Sequence, residues 1–346
     1  MEESRPDVAR DRSSRLPHAR FRPSTTSVKF AGLSAVATAL GSDEFTNEAL
    51  TARFPGKNAD AIRQRTGIES RRRLAPDESV LTLGVEAARR LLRDEGLTLD
   101  DVDALICCTT TPLTIMPSTA CLILYELDPD REMPAYDIYA ACTGYLYALA
   151  AAFDYTLAHP QARVLVVTTE TISRVIDPDD FGTAILFGDA ASASLVTGAE
   201  SDAAPRFRMR RPLISAKGEP GRLLRLSARD SAPLAMDGLL VYCEAVPRMI
   251  AMLRRACDDA GVTLDDLRWV VPHQANGRIV QDVRKKLGLP ADRVFCNIQG
   301  VGNTSSSSIP LALADLNGTL QPGDRLGLTA FGGGMTFGAA IAEAVA

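Results

Sequence analysis

The chain has 346 residues, of which 46% are apolar and 23% charged, a globular balance that excludes a disordered chain. Its 38 Lys and Arg against 43 Asp and Glu leave a net charge of −5, which argues against a nucleic-acid partner. No apolar run reaches the roughly 18 residues a membrane span needs.

Residues 1–27 carry six arginines and three prolines but no apolar stretch of signal-peptide length. They read as a disordered leader, and their four acidic residues argue against a transit peptide. Two α/β halves are expected after it, at 28–200 and 201–346. The evidence is an internal repeat. Gly-Leu-Thr-Leu-Asp-Asp at 96–101 returns as Gly-Val-Thr-Leu-Asp-Asp at 261–266, an offset of 165. Each copy follows a helical stretch with paired arginines, Arg89-Arg90 and Arg254-Arg255, and precedes an apolar strand, 104–108 or 269–273.

Farther along the first half, residues 136–153 read as a short strand entering an Ala-rich helix through Ala141-Cys142-Thr143-Gly144. A strand at 164–168, an Asp- and Pro-containing loop near 171–186 and Phe187-Gly188-Asp189 follow. The second half repeats this order at 294–314, through Gly302-Asn303-Thr304-Ser305, then at 325–329 and Phe331-Gly332-Gly333-Gly334. Cys142 and Asn303 lie 161 apart and are expected at equivalent helix starts facing a common centre. Alternating strands and helices predict mostly parallel sheets covered by helices.

The seven cysteines are odd in number and show no C-x-x-C spacing, and only three histidines exist, His18, His159 and His273. This pattern predicts a reduced, cytoplasmic protein without a metal site. Among the cysteines, Cys142 stands out. At a helix N-terminus the macrodipole favours thiolate, so a lowered thiol pKa is expected. His273 follows an apolar strand, where α/β proteins place catalytic groups. Asn303 reads alone as a helix cap, and the Gly332–Gly334 run alone as a tight turn. In one chain, Cys, His and Asn at strand ends with a glycine loop form a nucleophilic constellation.

The residues Arg65-Thr66-Gly67-Ile68, Ala140-Ala141-Cys142-Thr143-Gly144, Phe187-Gly188-Asp189, Pro272-His273-Gln274-Ala275-Asn276, Gly302-Asn303-Thr304-Ser305 and Phe331-Gly332-Gly333-Gly334 resemble the beta-ketoacyl-acyl-carrier-protein synthase III family of the thiolase superfamily. The resemblance runs from about residue 28 to 346. It implies a thiolase-like α/β fold, duplicated halves in a five-layer α-β-α-β-α arrangement. It also implies decarboxylative Claisen condensation. Cys142 would take an acyl group, and the backbone N–H groups of Cys142 and Gly333 would form the oxyanion hole. His273 and Asn303 would stabilise the enolate formed when a malonyl thioester loses CO2, and Phe331 would exclude water. The substrates would be coenzyme A or acyl-carrier-protein thioesters, with no further cofactor.

By the same resemblance the protein is a homodimer in which Met116 floors the partner's acyl pocket, Thr110 and Leu165 line the pocket, and Arg65 and Arg174 hold coenzyme A phosphates. Arg278, Lys285 and Lys286, near one helix face, would dock the carrier protein. Two departures stand out. Ala61 replaces a Trp of the family, and Tyr242-Cys243 replaces a Phe-Lys pair. Both point to a specialised enzyme rather than an acetyl-CoA-primed housekeeping one. The alternatives are an acyltransferase that passes the Cys142-bound group to an alcohol or amine, a silent partner subunit, and a non-decarboxylating condensation needing an extra base, for which Glu126 and Glu170 are candidates.

Overall fold

The computed structural model describes residues 30–227 and 232–345. The leader expected at 1–27 lies outside the described residues. The first half opens with β1 (Ala31–Leu33), β2 (Ala37–Leu40), β3 (Asp43–Thr46), α1 (Asn47–Thr51), α2 (Ala59–Thr66) and β4 (Ser70–Arg73). It continues through α3 (Val80–Asp94), β5 (Ala104–Cys108), α4 (Thr119–Leu127), β6 (Ala135–Ile138), α5 (Gly144–Ala158), β7 (Arg163–Thr171), α6 (Phe181–Ala184) and β8 (Asp189–Thr197). Next come the short strands β9 (Phe207–Met209), β10 (Leu213–Ala216), β11 (Leu224–Arg225) and β12 (Ala235–Met236). The second half then runs α7 (Gly238–Ala260), β13 (Leu267–Pro272), α8 (Gly277–Leu287), α9 (Ser308–Leu316), β14 (Arg325–Gly332) and β15 (Thr336–Ala344).

The repeat is visible in the strand pairing. β5 is parallel to β6 and β7, and β7 is antiparallel to β8. Correspondingly, β13 is parallel to β14, β14 is antiparallel to β15, and Val294 bridges Val270 in parallel at the position of β6. The two half-sheets are continuous, because β1 pairs with β8 on one side and β9 on the other, and β9 reaches β15. The chain leaves the first half's strands at Thr197 and enters the bridging strand at Phe207.

Sequence pattern decides which helix goes where. Both α5 and α9 are apolar on nearly every face; α9 buries seven of its nine residues and α5 nine of its fifteen, as helices covered on both sides do. They form the middle layer, with Leu149, Phe153, Ile309 and Leu313 packed between Val164 and Val166 of one sheet and Leu326 and Leu328 of the other. The amphipathic α3 buries Leu83, Ala87, Ala88 and Leu91 against Leu165 and Val167 on the outer face of β7. In the second half α7 and α8 cover the outer face of β13–β15 in the same way. Each buried Leu, Ile or Val contributes about 1.5–3 kcal/mol, so five layers of such contacts dominate the fold's stability.

The two Thr-Leu-Asp-Asp segments fold alike. In each, the aspartate accepts from the threonine N–H, Asp101 from Thr98 at 2.8 Å and Asp266 from Thr263 at 2.7 Å. These turns set the start of β5 and β13. The expected loop at 171–186 contains a short turn at Ile172–Arg174 and α6. It stands where the second half has only the three-residue turn Gly333–Met335 between β14 and β15.

Candidate active site

The two helices of the middle layer begin at matching strained turns. Ala141 and Ser305 both have positive φ, 46° and 52°, the sparsely populated left-handed region. A short turn follows each, and then α5 or α9. The offset here is 164, so the counterpart of Cys142 is Ser306, not Asn303 as the sequence spacing implied. The two turns close on each other: a Cβ on Gly144 would lie 1.8 Å from Cys108 Sγ and 3.2 Å from the Ser306 Cβ.

A cleft of about 490 Å³ opens above these turns. Its lining includes Cys142, His273, Asn303, Phe331 and Gly333, with Arg65 and Arg278 also on its wall. Gly332 packs against the Cys142 backbone, since a Cβ there would lie 2.9 Å from the Cys142 nitrogen. The Thr336 hydroxyl lies 3.2 Å from the Ala140 carbonyl and 3.1 Å from that of Gly333, tying the glycine turn to the strained elbow. Cys142 and Gly333 both line the cleft, with their backbones brought close by this tie.

Asn303 is held by its backbone. Its N–H donates to Leu186 O at 2.8 Å, and its carbonyl accepts from Gly188 N at 3.0 Å. Both neighbours must be glycine. A Cβ on Gly188 would lie 2.1 Å from Val301 O, and Gly302 sits at φ 71° with Leu186 O 2.7 Å from where its Cβ would be. The Asn303 side-chain oxygen accepts from Ser305 N at 3.0 Å, which leaves its NH2 end to donate into the cleft.

His273 follows β13 directly and is buried. Its Nδ1 lies 2.8 Å from Ser308 Oγ, which also accepts from Gln274 N at 3.1 Å. When the Ser308 hydroxyl donates to Nδ1, the ring proton sits on Nε2. Burial lowers the His273 pKa to about 4, so the ring is neutral near pH 7.

Cys142 departs from expectation. Burial pushes its thiol up to about 12, opposed chiefly by the Ser305 hydroxyl, whose Oγ is 3.7 Å from Sγ. Desolvation of the charged form therefore outweighs the favourable helix end, and the resting residue is a thiol. Cys107 and Cys108 are driven well above the usual range by the same burial.

Several residues marked in the sequence lie elsewhere. Leu165 points to the outer face of β7, because alternation along the strand turns Val164 and Val166 inward, so it is core under α3 and not pocket lining. Arg174 donates to the Leu74 and Ala75 carbonyls and does not line the cleft. Thr110 stands behind Cys142, donating from N (2.9 Å) and Oγ1 (2.8 Å) to Glu170. Met116 is 88% exposed on the loop after β5. Lys285 and Lys286 share the exposed face of α8 with Arg278 but lie about 10 Å farther along its axis. Glu126 is exposed on α4, whereas Glu170 is fully buried.

Ser305, Ser308 and Tyr242 are site residues that motif reasoning missed. The serines were visible only as part of a Ser run. Tyr242 lines the cleft, its hydroxyl donates to Asp282, and Arg278 lies over its ring at 5.3 Å.

The comparisons agree with this geometry. The family model described as 3-oxoacyl-[acyl-carrier-protein (ACP)] synthase III C terminal matches residues 257–344, and that of 3-oxoacyl-[acyl-carrier-protein (ACP)] synthase III matches residues 136–210. A beta-ketoacyl-[acyl-carrier-protein] synthase III of Nitratidesulfovibrio vulgaris is 39% identical over 294 residues, covering 81% of this chain and 88% of the relative. That of Erythrobacter litoralis is 37% identical over 319 residues, covering 90% and 98%. Among solved structures, 3-oxoacyl-[acyl-carrier-protein] synthase III of Aquifex aeolicus superposes with a TM-score of 0.84 at 34% identity, covering 90% of this chain and 99% of that one. The priming beta-ketosynthase of the R1128 polyketide pathway superposes at 0.82 with 31% identity, covering 96% and 98%. Sequence similarity over four-fifths or more of the chain, carried on the same duplicated five-layer fold, shows that the protein belongs to the beta-ketoacyl-[acyl-carrier-protein] synthase III family of thiolase-fold, acyltransferase-class condensing enzymes.

Proposed function

We propose that the protein condenses a Cys142-bound acyl group with a malonyl thioester, releasing CO2 and a 3-oxoacyl thioester. The observation that carries this is the pair of neutral donors on the cleft wall with the nucleophile: His273, and the amide end of Asn303 freed by its bond to Ser305 N. In the first step Cys142 Sγ attacks the acyl thioester, and the Cys142 and Gly333 N–H groups stabilise the tetrahedral oxyanion. The malonyl thioester then replaces the departed thiol. Its carbonyl accepts from His273 Nε2 and Asn303 Nδ2, which stabilises the enolate left when CO2 departs. The enolate carbon attacks the acyl carbonyl on Cys142 and expels the thiolate. Phe331, buried at the cleft wall, limits water access to the acyl enzyme.

Acyl-CoA and acyl carrier protein are the proposed donors. Arg65 at the cleft suits a coenzyme A phosphate, and the exposed Arg278, Lys285 and Lys286 suit an acidic carrier. Ala61 offers no aromatic stacking face, and the exposed Cys243 stands where the docking lysine of the Phe-Lys pair was expected. These differences support a specialised acyl donor. The free thiols support a cytoplasmic enzyme.

The test is intact-protein mass after incubation with a panel of acyl-CoAs and acyl carrier proteins. Wild type should gain the acyl mass and lose it on addition of malonyl-acyl carrier protein, with 3-oxoacyl product formed. Cys142→Ala should gain nothing. An acyl mass that leaves only to alcohols or amines would replace condensation with simple transfer.

A further inference from the structure

Loading an acyl group on Cys142 leaves a proton without an evident destination. Cys142 rests as a thiol, and its own burial opposes ionisation. Among the described residues His273 hydrogen-bonds to Ser308 through Nδ1 and not to Cys142, and when the Ser308 hydroxyl donates there, Nε2 already carries the ring proton. The remaining neighbour is Ser305. Its hydroxyl lies 3.7 Å from Cys142 Sγ and 3.1 Å from Glu170 Oε1, and so can receive from one while donating to the other.

Among the described residues, Glu170 is a fully buried carboxylate on β7 that makes no salt bridge. It accepts instead from Ser306 Oγ at 2.7 Å, from the Thr110 N–H and hydroxyl, and from Ser305. Burial raises its pKa while these four donors restrain the rise, so it is a carboxylate with a raised affinity for a proton. Burying an acid among hydroxyls is costly in a structural core. Here it stands one hydroxyl away from the nucleophile.

We propose that Glu170, acting through the Ser305 hydroxyl, accepts the Cys142 thiol proton during acyl loading and returns it to the departing thiol. This rests on the acyl-loading step proposed above. As the Cys142 sulfur–carbon bond forms, the thiol proton moves to Ser305 Oγ and the Ser305 proton moves to Glu170 Oε1. Collapse of the tetrahedral oxyanion breaks the bond to the donor sulfur. That sulfur shares a carbon with Cys142 Sγ and so lies within reach of the same hydroxyl. The proton returns through Ser305 to it, giving free thiol, acyl-Cys142 and a carboxylate ready for the next turnover.

The experiment follows alkylation of Cys142 by iodoacetamide in the full chain, read on the Cys142-containing peptide because Cys121 and Cys243 are also exposed. The sign separates the relay from simple electrostatics. The Glu170 charge raises the Cys142 pKa, so removing it without a relay would ease ionisation and speed alkylation. With the relay, Glu170→Gln and Ser305→Ala should each slow alkylation by about ten- to a hundredfold, and Glu170→Asp should recover part of the rate. Glu170→Asp also serves if Glu170→Gln does not fold, because it keeps the charge and only lengthens the relay, so a partial slowing supports the relay and a wild-type rate overturns it. Alkylation of Glu170→Gln as fast as wild type or faster, or an unchanged rate in Ser305→Ala, overturns the proposal. Alkylation needs no thioester. A relay effect in a chain that no acyl donor loads would therefore sink the condensation reading and leave the relay standing.

Discussion

His273 and Asn303 illustrate how burial and one hydrogen bond assign a chemical role. Either side chain can donate or accept in water. In the cleft, the Ser305 N–H occupies the Asn303 oxygen and leaves its NH2, and when the Ser308 hydroxyl donates to His273 Nδ1 the free ring nitrogen is an N–H. In the proposed condensation the two donors act on charge that exists only as CO2 leaves, so their loss should spare acyl loading. His273→Ala and Asn303→Ala should each acquire the acyl mass yet lose malonyl-thioester decarboxylation by about 10²–10³-fold. The pH profile gives a second measurement. An ordinary histidine would change charge near 6.5, whereas burial here favours the neutral ring down to about 4. Decarboxylation by wild type should therefore show no inflection from His273 between pH 5.5 and 8. An inflection there that disappears in His273→Ala would mean the ring is far more solvated than the structure has it.

At the scale of elements, the site depends on two loops that interlock through glycines. Phe187-Gly188 runs beside Asn303, and Gly188 N holds the Asn303 carbonyl. Gly188→Ala would drive a methyl into Val301 O. The segment before Asn303 would have to move, at about 1–3 kcal/mol in urea unfolding, and decarboxylation should fall more than acyl loading. Much of this was legible in sequence. The strand at 104–108 matches β5 residue for residue, and the Thr-Leu-Asp-Asp repeat is a pair of identical capping turns. The helix pairing was off by three residues because the left-handed turn residues are Ala141 and Ser305, and neither is the glycine or asparagine that would have marked the position. Leu165 misled for a different reason. A fully buried β-strand is apolar on both faces, so sequence cannot say which residues face the cleft and which face the outer helices. The Glu170 cluster was invisible as a site because Thr110, Cys142, Glu170 and Ser305 come from four separate segments that meet only once the sheet and the two elbows are assembled.

The whole molecule exposes one region that a single chain leaves unfinished. β6 is an edge strand of the large sheet, with Tyr136 and the following Tyr139 exposed. Beside it α4 is apolar on most faces but buries only Thr119, Ala120 and Ile123, and its Tyr125 is exposed. The preceding loop presents Leu113, Ile115 and Met116, the last two 75% and 88% exposed. A free strand edge next to contiguous apolar side chains is a surface that pairing would cover. The homodimer expected from the sequence would seat a second copy there on a twofold axis, so that each edge meets its own equivalent. The loop carrying Met116 also carries Thr110, which touches Glu170 behind the nucleophile, so a partner seated on it lies close to the acyl end of the site. Two substitutions separate assembly from specificity. Ile115→Asp should convert a dimer to monomer in sedimentation. Met116→Trp should leave the dimer intact and shorten the longest acyl group that Cys142 accepts, because a rigid bicyclic ring would fill space that a flexible thioether yields. A dimeric Met116→Trp enzyme with an unchanged acyl profile would remove Met116 from the pocket while leaving the interface in place.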